Sequence, residues 1–95
     1  MPLKITFNEE KNLLLKANRG VNFDDILEII KRGRIKDKVR HPRINKYKNQ
    51  MLWIIEYKDY VYVVPCIVNE KQNSVFLKTI YPSRKYKKLY EDKEN

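Results

Sequence analysis

Two runs of β-branched and aromatic residues, Met51 to Tyr57 and Tyr60 to Ile67, stand back to back with only Lys58-Asp59 between them. Such residues suit a pleated, half-buried surface, and a two-residue gap leaves room only for a tight hairpin. The centre of the chain is thereby committed to antiparallel sheet. A third segment of the same character, Ser74 to Tyr81, follows the longer polar loop Asn69 to Asn73 and extends the hairpin to a three-strand meander. Pro82, with no N–H to offer a ladder, closes that strand.

Ahead of the meander the apolar period changes. Leu3, Ile5 and Phe7 alternate along a short strand. A helix is expected next: Thr6 and Glu9 have capping-box spacing, Asn8 is a rival cap, and Leu13, Leu14 and Ala17 form an apolar stripe that stops near Gly20. A second helix starts at Asn22, has Asp24 and Asp25 at its positive end, places Phe23, Ile26, Leu27 and Ile30 on one face, and ends at Lys31-Arg32-Gly33. Ile35 and Val39 mark a candidate edge strand, and His41-Pro42-Arg43 reads as loop. Beyond Pro82, Ser83 is placed to cap a terminal helix, Lys85 to Tyr90, before the charged tail Glu91 to Asn95 frays. The order β-α-α-β-β-β-α predicts an α+β fold in which two N-terminal helices pack on one face of an antiparallel sheet and leave the other face free. At 95 residues the chain, 1–95, makes a single domain with one core.

Charge is distributed very unevenly. Residues 31 to 48 hold nine Lys/Arg against one acid, Asp37, and so carry +8 of the total of +9. A field of that sign attracts polyanions by counterion release, which points to RNA as partner and to Lys36, Lys38, Arg40, Arg43, Lys46 and Lys48, with Lys85, as its contacts. The competing readings are a solvated face that aids solubility and a docking surface for an acidic protein. No apolar stretch approaches the roughly 20 residues a membrane span needs, and Met-Pro-Leu-Lys is no secretory apolar block, so the chain reads as cytoplasmic with no membrane partner. Lone Cys66, between Pro65 and Ile67, reads as a buried inert thiol. With lone His41 it provides no ligand cluster, so neither metal nor cofactor is expected.

The blocks K-N-x-x-L-K-x-x-R-G-V-x-F (Lys11 to Phe23) and F-L-K-T-I-x-P-S-R-K (Phe76 to Lys85) resemble the BrnT-like toxins of the RelE/ParE-like superfamily, over roughly residues 4 to 90. The early block is similar to that family's N-x-x-K-H-G-V-S-F signature, with Arg19 where the family usually has His. Ile80-Tyr81-Pro82-Ser83-Arg84 is similar to its I-I-S-A-R element, with Tyr90 standing for the Tyr that follows. The chain departs from the family at Gln50-Met51-Leu52, where an Arg is usual, and in a middle loop, with His41-Pro42 and Tyr47, that lacks acidic character. The resemblance implies a RelE/ParE-like fold and a cognate antitoxin, in a superfamily whose members act on RNA through the ribosome, on free RNA or on other targets; the expectation here is a toxin that cleaves RNA and so inhibits translation.

Metal-free cleavage of RNA needs a base for the 2′-hydroxyl, a cation for the phosphorane charge and an acid for the leaving oxygen. Arg84, just past the last strand, offers a planar two-pronged phosphate clamp, with structural capping or pairing to Glu91 and Asp92 as its alternative role. Lys78 offers a point charge. In a regular strand Lys78 and Tyr81 face opposite ways, so only one can meet substrate unless a bulge intervenes. His41 is the candidate base, or else a turn residue bonded to backbone; Arg19 is the fourth catalytic candidate. Tyr47, Trp53, Tyr57, Tyr60 and Tyr62 read as core and cross-strand pairs before base-stacking platforms. From other classes, the alternatives are a non-catalytic nucleic-acid-binding module and a toxin-fold protein-interaction domain.

Overall fold

The computed structural model describes residues 3–43 and 49–94, with side chains through Tyr90. Its elements are β1 (Lys4–Phe7), α1 (Glu9–Asn18), α2 (Phe23–Lys31), β2 (Ile35–Arg40), β3 (Gln50–Tyr57), β4 (Tyr60–Asn69), β5 (Ser74–Leu77), β6 (Tyr81–Pro82) and α3 (Arg84–Glu94). The class is α+β. The sheet runs β1-β5-β4-β3-β2, with β6 pairing β4 in line with β5. One expectation is corrected: β1 pairs with β5 in parallel, Lys4 opposite Ser74, so the sheet is mixed. The two helices between β1 and the meander provide the long crossover that parallel pairing requires.

The β3–β4 hairpin turns through Lys58 and Asp59 at φ 51° and 62°, both left-handed, the pattern of a type I′ turn whose twist matches its strands. Asn8, not Thr6, caps α1, accepting from the Lys11 N–H at 2.9 Å, because Thr6 is held in β1. Asn22 and Asp25 close a reciprocal capping box on α2. That helix stops at Gly33 (φ 68°), where the N–H groups of Arg34 and Gly33 reach back to the carbonyls of Ile29 and Ile30 as a Schellman pair. Ser83 caps α3, its Oγ accepting from the Tyr86 N–H at 3.2 Å, and the helix continues to Glu94, beyond the expected end at Tyr90.

One sheet face carries α1 and α2 over a core that includes Leu15, Phe23, Ile26, Trp53, Ile55, Val64, Leu77 and Ile80. Within it Phe7 stacks on Phe23, centroids 4.8 Å apart. The expected stripe on α1 is wrong: Leu13 and Leu14 are 64% and 58% exposed and Ala17 is exposed, while Asn12 and Leu15 are buried. The reason is a polar requirement. Asn12 Oδ1 accepts from the Phe23 N–H at 2.7 Å and its Nδ2 donates to Asp24 at 3.1 Å, so α1 is rotated to satisfy the buried start of α2. The Asn12 bond first, and Lys16 at 3.1 Å after it, hold the Asp24 carboxyl below its ordinary 3.8.

The opposite face is not free, which is a second correction. Leu52, Ile54, Val61 and Val63 are buried there, with Val39 and with Tyr86 and Tyr90 of α3 packed on them. Tyr90 donates its hydroxyl to Asp37 at 3.0 Å and so fastens α3 to β2.

Candidate functional site

The third meander strand is broken, and the break builds the site. Cys66 pairs with Leu77 and Val63 with Tyr81, so three steps along β4 are matched by four along β5 and β6. One extra residue is a β-bulge, and it resets the alternation of side chains. Lys78 and Tyr81, which a regular strand would send to opposite faces, line the same open cavity of about 340 Å³ on the α3 side, together with His41, Pro42, Leu52 and Pro65. Ile80, inside the bulge, turns the other way and is fully buried in the helix-side core. Two bonds hold the bulge: the Lys78 N–H donates to the Pro65 carbonyl at 2.8 Å, and Arg19 donates to the Ile80 carbonyl at 2.8 Å.

Each lining group has a definite chemical character. Burial, with the neighbouring Tyr86 adding to it, raises the Tyr81 phenol above its ordinary 10, so it remains a neutral proton donor. His41 Nδ1 accepts from the Arg43 N–H at 3.1 Å. A neutral imidazole that accepts at Nδ1 carries its proton on Nε2, so in this geometry Nδ1 does not offer the lone pair a general base needs. Lys78 is exposed and supplies positive charge.

The other two catalytic candidates stand apart. Arg19 closes α1 and is bonded to the bulge backbone, which makes it a positioning group. Arg84 is the exposed first residue of α3, three positions after Tyr81, with Lys85 next to it and no acid in that turn. Cations at a helix N-terminus oppose its dipole, by about 0.3–1 kcal/mol each, and an anion placed there relieves the repulsion.

The cations of β2 do not gather at the Lys78 and Tyr81 cavity. In β2, Lys38 lies opposite Trp53 and Arg40 opposite Met51, both on the α1/α2 side, whereas Asp37 and Val39 lie opposite Ile54 and Leu52 on the α3 side. Strand periodicity thus sends these two cations to the face opposite the cavity, away from Lys78. Lys36 pairs with Glu56 at 3.6 Å, Lys38 Nζ sits 4.8 Å over the Trp53 ring, and Lys85 Nζ lies 5.7 Å from the Tyr86 ring centre. Arg43 is exposed beside His41. Lys46, Tyr47 and Lys48 lie outside the described residues, as do the side chains of Glu91 and Asp92.

Two residues have roles that the sequence pattern did not assign. Asn12 sits within the quoted early block, and its polarity on an amphipathic helix was the available signal. Asp37, the one acid of the basic run, accepts from both the Lys38 N–H and the Tyr90 hydroxyl. Cys66 is buried, and burial pushes its thiol up to about 12, far from a thiolate nucleophile. Among the described residues no three His, Cys, Asp or Glu side chains gather as a metal site would need, and no helix is long and apolar enough to cross a membrane. Comparison with family models, with curated proteins and with solved structures finds no match to this chain.

Proposed function

We propose that this protein is a RelE/ParE-like toxin of the BrnT type, a metal-independent endoribonuclease of the cytoplasm that inhibits translation and is restrained by a cognate antitoxin. The reading rests on the two sequence blocks. The observation that carries it into chemistry is the bulge that brings Lys78 and Tyr81 to one cavity with His41. An RNA phosphate seated there meets the Lys78 ammonium beside the His41 ring, and Arg84, outside the cavity at the start of α3, serves a neighbouring phosphate. The 2′-oxygen attacks the neighbouring phosphorus and loses its proton to water while the bond from phosphorus to the 5′-oxygen breaks. The departing oxygen takes its proton from Tyr81, which recovers one from solvent. The products are a 2′,3′-cyclic phosphate and a 5′-hydroxyl. Lys78 stabilises the added charge of the phosphorane, and no dedicated base is assigned.

The test is incubation of the purified chain with RNA in the presence of a chelator. Lys78→Met and Tyr81→Phe should each lower cleavage by about 100-fold or more while thermal unfolding stays near that of the parent. Cleavage that survives both changes removes this cavity from the mechanism. The engaged Nδ1 of His41 favours one rival, a nucleic-acid-binding module without cleavage. That rival yields salt-sensitive binding and only intact RNA.

A further inference from the structure

A second cavity, of about 460 Å³, opens on the α1/α2 side, across the sheet from the His41, Lys78 and Tyr81 cavity and independent of the nuclease reading. Leu3, Ile5, Ile30, Ile35 and Trp53 form its apolar wall, and Lys31 and Lys38 are its only charged lining groups among the described residues. Gly33 completes the wall, and nothing lies within 4 Å of where a side chain on it would begin.

Two observations give this cavity its chemical character, beside a Trp53 ring that is only 2% exposed. Lys38 Nζ stands 4.8 Å from the centre of the same ring. Neither Lys31 nor Lys38 has an ion-pair partner among the described residues, so no carboxylate there neutralises the positive charge beside the apolar walls.

We infer that this cavity binds a small amphipathic carboxylate, its anionic end between Lys31 and Lys38 and its apolar body against Ile5, Ile30, Ile35 and Trp53. A mostly apolar concavity of this size with a few polar groups at one side is the usual form of a small-ligand site, and two ammonium groups select an anion over a neutral or cationic amphiphile.

Trp53 is the only tryptophan in the chain, so it gives a single indole N–H resonance and an unshared fluorescence signal. The full chain is titrated with octanoate and, separately, with octanol, octylamine and acetate. A saturable shift of the indole resonance with octanoate alone is expected, and the double change Lys31→Met with Lys38→Met should weaken it about tenfold or more without altering unfolding. Four results overturn the inference: no saturable shift with octanoate, an equal response to octanol or octylamine, an equal response to acetate, or an unchanged octanoate affinity in the double variant. An indole resonance that moves with protein concentration before any ligand is added assigns the cavity to a second copy of the chain and overturns it equally.

Discussion

The two faces of the sheet use the same central strands and are built to different depths. Among the described residues, eleven buried side chains form one cluster on the α1/α2 side; on the α3 side there are four, covered by two tyrosines of α3. The thick face is the stability of the protein. The thin one leaves room beside α3 for the His41, Lys78 and Tyr81 cavity. Under the proposed function this asymmetry separates folding from recognition, because a face that admits RNA cannot also be closed by a full layer of apolar side chains.

The sharpest way to break this comparison is to truncate one aromatic on each side. Phe23→Ala should cost about 3–5 kcal/mol in denaturant unfolding, as removal of a fully buried ring does. Tyr86→Ala, from a half-buried position, should cost about 1–2 kcal/mol. Equal losses would mean that α3 is as integral to the fold as α2. Asn12→Ala tests whether the helix side depends on the one buried polar side chain among the described residues: with the Phe23 N–H left unmatched, a loss of about 2 kcal/mol is expected in the same measurement. Asp24, whose carboxyl is held below its ordinary value, contributes stability that is present above about pH 4 and is lost as pH falls through the folded value. Asp24→Asn should therefore flatten the acid side of the stability profile.

On the thin face, Tyr90→Phe removes the tie between α3 and Asp37 and should cost about 1 kcal/mol or less, the pair being exposed to solvent. Its pH signature is more telling. Burial first, and then the bond to Asp37, push the Tyr90 phenol up to about 12, whereas in the unfolded chain it ionises near 10. The contribution of Tyr90 is thus complete below pH 10 and is lost as pH rises from about 10 to 12, a slope that Tyr90→Phe should reduce. The smallest effect belongs to the hairpin that both faces share. Asp59→Gly relieves a left-handed residue at φ 62° and should raise stability by about 0.5–1 kcal/mol without favouring either face.

Local chemistry was readable wherever neighbours along the chain decide the outcome. The hairpin at Lys58-Asp59, the Asn22 cap, the Ser83 cap and the stop at Gly33 each involve residues a few positions apart, and each follows from turn and capping rules. A sign of the covered second face was also present. Leu52 to Ile55 and Val61 to Val64 are continuous apolar runs, and strands of that kind are usually buried on both sides. Reading them as one-faced strands left the α3 side wrongly free. The Leu13-Leu14 pair misled because burial of α1 is governed by a hydrogen bond to the start of α2, which an apolar count does not register.

The order of residues by itself determined the α+β class, the meander, most helix ends and the total charge, because short-range sterics and side-chain period act on neighbouring positions. Only the tertiary structure decided which charges share a surface. The parallel pairing of β1, the single extra residue between β5 and β6 and the docking of α3 each join positions far apart in the chain. That one-residue offset, fixed by Arg19 on the Ile80 carbonyl and Lys78 on Pro65, reverses which side chains meet. A period of two makes every such slip a change of face, so the cavity existed only once β4 set the register of its neighbours.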